Sequence, residues 1–183
     1  MVDALSKLLG IIIAILLLFI FPLQESYARQ ADIQYLNVFK STTEFTDAIR
    51  DKGYITPRMW LDFQDEITQL GMMMDINMEH FSKQYDPIYD DPLEPATFHE
   101  EFLVRHEITN TAGIMEVLFP NNTEPKEALT RRYLLKIGDY VQVIVHNRQQ
   151  TAADVMLEWL TSSFAEWKRI DVSVGGMVRN EDY

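Results

Sequence analysis

Two stretches of the chain carry residue types that could hold a metal ion. In the order HEEFLVRHE, His99, Glu100, Glu101, His106 and Glu107 bring together imidazoles and carboxylates, the ligands zinc takes. Leu103 stands where an H-E-x-x-H helix needs its second histidine, and no third ligand is indicated, so a solvated polar face is the expectation. The other stretch holds Asp86, Asp90, Asp91 and Glu94 among Pro87, Pro92 and Pro95, and its oxygens are the calcium candidates. It lacks the D-x-D-x-D-G order with its turn glycine, and an acidic surface loop is the alternative.

Covalent chemistry finds no support. The chain has no cysteine, and neither G-x-S-x-G, G-x-x-x-x-G-K-[ST] nor G-x-G-x-x-G occurs. Ser162, Ser163 and Glu166 fall at the end of an expected helix, where serine caps or faces water. Asn121-Asn122-Thr123 fits a glycosylation sequon and is read as a turn. No catalytic residue and no cofactor is therefore expected.

The net charge is −12. Asp3 and Glu25 cancel Lys7 and Arg29, so the excess acid belongs to residues 31–183. An acidic surface argues against nucleic acid and against docking of this part on anionic lipid, since both need a basic face.

The elements that would position any site begin with an apolar run. No charge interrupts Leu8 to Leu23, and with Ala4 and Leu5 the stretch reaches about twenty residues, the length that spans a hydrocarbon core. Leu8, Ile12, Ile15, Phe19 and Pro22 are the anchor residues of a single-pass segment in contact with membrane lipid. Basic residues on the two sides balance, and a short tail ahead of a signal-anchor stays in the cytoplasm, so residues 24–183 are expected outside. Ser26-Tyr27-Ala28 offers small residues at signal-peptidase spacing, and cleavage there is the rival reading. Beyond Pro22, Ala28, Ala31, Tyr35, Val38, Thr42, Phe45 and Ile49 recur at helical spacing, predicting one helix from about Ala4 to Lys52, ended by Gly53.

That helix, with PLQESYARQADIQ following its apolar half, resembles the leading helix of type IV pilins and pseudopilins. Over the whole chain, FTDAIRDKGYITPRMWLDFQDEI and IDVSVGGMVRNEDY look like segments of small single-span proteins of Gram-positive bacteria found with tight-adherence (Tad-like) pilus or type II secretion-like components. The resemblance implies a role in an envelope-spanning assembly, with other pilus or secretion subunits as partners and a homo- or hetero-oligomeric state.

The rest of the chain reads as a small α+β domain. Thr56-Pro57 starts a helix whose Trp60, Phe63, Ile67 and Leu70 share a face, and Gly71 ends it. Met72, Met74, Ile76 and Met78 alternate with polar residues as a half-buried strand, with core filling the role expected of the methionines. Residues 82–98 read as an acidic, Pro-rich loop. A strand or helix is expected around Glu101–Ile108 and a short helix around Gly113–Leu118. Val141, Val143 and Val145 mark a strand, and Thr151 with Asp154 resembles a capping box ahead of a stripe of Ala152, Val155, Met156, Trp159 and Leu160. The last strand carries Ile170, Val172 and Val174 on one side, with Gly175-Gly176 permitting a bulge or a close backbone approach. Trp60, Trp159 and Trp167 are expected in the core or in helix–sheet contacts rather than as a sugar platform.

The organisation is thus a membrane anchor over residues 1–30, an amphipathic continuation over 31–53 and an extracytoplasmic domain over 54–183, with three or more strands in a truncated ferredoxin-like helix-on-sheet plan. The expected function is that of a non-enzymatic, membrane-anchored minor pilin-like or assembly component. The alternative is a secreted or anchored ligand-binding module, calcium-dependent if the acidic loop gathers the ion.

Overall fold

The computed structural model describes residues 2–71, 73–91, 93–161 and 170–183. Helix α1, Val2–Lys52, runs through Pro22 without interruption. Its first half is apolar on every side and exposed on every side, whereas its second half turns Val38, Phe45 and Ile49 into the core. Ser41, Thr42 and Thr46 are buried on the same side. The two threonine hydroxyls can be there because each donates back to the helix, Thr42 to the Val38 carbonyl and Thr46 to the Thr42 carbonyl, both at 2.7 Å. Gly53, at φ +73°, ends the helix by donating its N–H to the Ile49 carbonyl at 2.8 Å.

Strand β1, Tyr54–Ile55, leads into helix α2, Pro57–Gln69. The Thr56 side chain caps α2 by accepting the Met59 N–H at 3.2 Å, as the Thr-Pro pair predicts. Phe45 of α1 stacks on Phe63 of α2 at 4.3 Å between ring centres, with Trp60 packed against both. This cluster fastens the domain to the helix, and a buried phenylalanine of this kind is worth about 3–5 kcal/mol against alanine.

Strands β2, Met74–Tyr89, and β3, Phe98–Asn110, form a long hairpin. Helix α3, Thr111–Leu118, follows, with the Asn110 side chain accepting the Gly113 N–H as its cap and Ile114 and Leu118 buried. Strand β4, Tyr133–Leu134, pairs with β1. Strand β5, Tyr140–Asn147, helix α4, Ala152–Thr161, and strand β6, Asp171–Met177, complete the chain. The main sheet is antiparallel throughout in the order β3-β2-β5-β6. Helix α1 lies across β5 and β6. Val141, Val143, Val145 and Val172 meet it with Met78, all at or near zero exposure.

Two glycines in β6 serve this packing. A Cβ on Gly176 would sit 2.5 Å from the Arg50 guanidinium, which bonds to the Met177 carbonyl and to Asp47. A Cβ on Gly175 would meet the Tyr140 hydroxyl at 2.6 Å on the other side of the sheet. The nearest approach at both is thus by a side chain rather than by the backbone, although the Val141 carbonyl also lies 2.9 Å from a Cβ at Gly175.

The capping box is present: Thr151 N–H and Oγ1–H both donate to the Asp154 carboxylate, and the Asp154 N–H donates to Thr151 Oγ1 at 3.2 Å. The helix it starts departs from expectation. Val155 and Trp159 are exposed, Trp159 by 71%, so the apolar stripe of α4 is not core. Met72, Pro92, Ser162, Ser163, Glu166 and Trp167 lie outside the described residues.

The largest correction concerns residues 82–98. Strand β2 continues to Tyr89, and of the described residues only 90–91 and 93–97 lie between the strands, with a 3-10 segment at Pro95–Thr97. Pro87 is accommodated because β5 pairs with β2 only as far as Phe81. Past that point β2 has one neighbour, and the register shifts between Pro87 and Tyr89, so a missing N–H breaks no two-sided ladder.

Candidate functional site

The sequence candidates do not converge. Three residues, His99, Glu100 and Glu101, separate Phe98 from Phe102, which lie opposite Tyr89 and Pro87, so β3 carries extra residues where β2 has only Ile88. Glu100 absorbs this bulge at φ +58°, in the left-handed region. His99 ends beside the turn with Nε2 at 2.8 Å from Asp90, while His106 stands farther along β3, opposite Lys83. Glu107 lies opposite Ser82.

The calcium candidates are held by other partners. Asp86 pairs with Arg105 across the hairpin at 3.3 Å. Asp90 holds His99, and Asp91 accepts the Leu93 N–H at 2.9 Å, a local turn bond. Thr97 then laces the turn, donating to the carbonyls of Asp91 and Glu94. Among the described residues no group of three or more His, Asp or Glu side chains is gathered as a metal ion would require.

Sequence reading missed a buried polar node. His80 of β2, Asp139 in the turn before β5, and Tyr133 of β4 meet behind the sheet. Nδ1 of His80 lies 2.8 Å from the Tyr133 hydroxyl and Nε2 lies 2.9 Å from Asp139 Oδ2. Asp139 also accepts the Lys83 N–H at 3.0 Å and the Lys136 N–H at 2.9 Å. Burial pushes the Asp139 carboxyl up, but the Lys136 and Lys83 amides together with His80 outweigh it and hold the group below its ordinary value. Burial raises the Tyr133 phenol, with a hydrogen bond from Thr109 partly opposing it.

An ionised Asp139 only accepts, so Nε2 of His80 donates to it, and Nδ1 is left to meet the Tyr133 hydroxyl. The Tyr-His-Asp order is that of a proton relay. With both ring nitrogens engaged and His80 only 5% exposed, what it can do here is hold strand to strand. The signal was in the sequence: His80 continues the core-facing series Met74, Ile76, Met78.

The anchor residues Leu8, Ile12, Ile15 and Phe19 are all exposed, and α1 is long and apolar enough to cross a membrane. Past Pro22 a second apolar side of α1 stays uncovered, with Ile33, Leu36 and Phe39 on it. A hollow lined by Tyr27, Gln30, Gln34, Gln149 and Gln150 separates this part of the helix from the start of α4. At the far end, the Arg179 and Asp182 N–H groups donate to the Arg50 and Lys52 carbonyls at 2.8 and 2.9 Å, so the tail after β6 supplies donors that the end of α1 lacks. Arg179 adds an ion pair to Asp51 at 2.9 Å. No family model, curated protein or solved structure matches the chain.

Proposed function

We propose that this protein is a non-enzymatic, single-pass membrane component of a pilus or secretion-type assembly, with its acidic domain outside the cell membrane. The observation that supports this is the division of labour along α1: one unbroken helix is exposed and apolar from Leu5 to Leu23 and then becomes the spine of a folded domain. Such a helix fixes the domain rigidly relative to the bilayer. Side chains such as Leu16 and Phe19 are then free to pack against neighbouring membrane helices, and Ile33, Leu36 and Phe39 extend that apolar face past the lipid. The resemblance to pilin leading helices agrees with this division. For the helix-on-sheet domain a truncated ferredoxin-like plan is the fold we propose, and the assembly role rests on α1 alone.

Detergent extraction followed by affinity purification of the full chain tests the role. Co-isolation of pilus or secretion subunits, lost when Leu16 and Phe19 are both changed to alanine, is the expected result. Recovery of a lone monomer counts against it.

A further inference from the structure

The alternation of apolar residues along the hairpin changes phase where β5 ends. Up to His80, the even-numbered residues of β2 face the core, Met74 and Ile76 beside Trp60 and Ile67 of α2, and Asp75, Asn77 and Glu79 face away beside His146, Ile144 and Gln142. From Phe81 onward the odd positions carry the apolar residues, interrupted once by Lys83 opposite His106. Phe81, Tyr85 and Pro87 lie opposite Ile108, Val104 and Phe102, while the inward side carries Ser82, Gln84 and Asp86 opposite Glu107, Arg105 and Leu103. At the base of this arm a row of Ile108, Phe81, Tyr140 and Met177 crosses all four strands on the outward face. Ile108 is 61% exposed, Met177 57% and Phe102 55%. Phe81 and Tyr140 meet edge to face at 5.8 Å, and Gly175 leaves the space that the Tyr140 ring occupies.

A strand pair patterned in this way buries its apolar face only against something outside it. We propose that the outward face of the β2–β3 arm docks a second protein, one with an apolar contact surface rimmed by lysine and arginine. This rests on the assembly role proposed above and names the surface that role would use. The occupant follows from charge. Asp90, Asp91, Glu94, Glu100 and Glu101 crowd the tip; of the arm's two cations, Arg105 is paired to Asp86 and Lys83 lies nearer the base, opposite His106. A second copy would bring the same acidic tip and a net charge of −12. The exposed apolar side chains add up to a few hundred Å2 at roughly 100 Å2 each, short of the about 800 Å2 per partner of a stable interface, so contacts to the acidic tip must supply the rest.

Photoreactive benzoyl-phenylalanine in place of Phe102, in the full chain in its native membrane, tests this. The controls are the same residue in place of Asp171, at the polar end of the same face, and in place of Leu36 on α1. The expected result is a crosslink from position 102, absent from 171, to one other protein. Its crosslinked peptide, sequenced by mass spectrometry, carries apolar residues flanked by lysine or arginine. The yield drops about tenfold when Glu100 and Glu101 are changed to lysine and recovers when the partner's basic residues are changed to glutamate. Crosslinking to a second copy, to lipid, to an acidic peptide, or equally from 171 overturns the proposal. Crosslinks at 36 with none at 102 overturn it while leaving the assembly role standing, and none at either position removes both.

Discussion

Asp139 is the residue on which several strands depend at once. Its carboxylate closes the β4–β5 turn through Lys136, reaches β2 through Lys83, and fixes the imidazole that holds β4. Changing Asp139 to alanine strands one buried and two part-buried donors, and a loss on the order of 2–3 kcal/mol is expected from urea denaturation of the detergent-solubilised chain. Tyr133→Phe removes one hydroxyl and should cost about 1 kcal/mol in the same assay. The pH dependence follows from the direction of the Asp139 shift. An unfolded aspartate titrates at about 3.9 and the folded carboxyl lies below it, so the stabilisation is complete above about pH 4 and is lost as pH falls through the folded value. The denaturation midpoint of the wild type should drop on acidification below about pH 4, and that of Asp139→Asn should drop less. His80 was legible as a core position, but its partners lie more than fifty residues away, and no spacing rule connects them.

At the scale of elements, local signals were readable and non-local ones were not. Thr56-Pro57, the valines of β5 and the Thr151–Asp154 box announce themselves because each depends on residues within a turn or a strand of itself. Residues 82–89 were misread because proline and acid clusters were taken as breakers, whereas a strand with one neighbour tolerates both. The zinc and calcium groupings relied on nearness in sequence, which a bulged hairpin does not preserve. The stripe of α4 was legible as apolar, but Trp159 on it, expected in packed contact, is exposed, since periodicity shows that residues share a side and not what covers it. The two helix-ending glycines make a controlled pair. Both have φ near +74°, but a Cβ on Gly71 meets open space and one on Gly53 collides with the Asn180 backbone carbonyl. Gly71→Ala should cost about 1–2 kcal/mol and Gly53→Ala clearly more, as thermal melts of the two variants would show.

For the whole molecule, the cleavage reading turns on where α1 meets the domain. Tyr27, Gln30 and Gln34 border the hollow that Gln149 to Ala152 complete, so a cut after Ala28 would take away part of its wall. The intact mass of protein extracted from membranes should match the uncut chain, and the protein should stay with the membrane in an alkaline wash. A mass lacking residues 1–28 would instead make the apolar run a signal peptide.

The contact between α1 and β6 also sets an order of events during synthesis. The helix is made first, yet Arg50 waits for Met177 and Arg179, separated from it by 127 residues or more of chain. Until those residues leave the ribosome, the inward side of α1 can be covered only in part, and its terminal carbonyls remain solvated. On the single-pass role proposed above, insertion of the apolar half into a bilayer can therefore be complete before the domain closes. A stalled product ending before Asp171 would then be inserted but open, with β6 missing from the sheet.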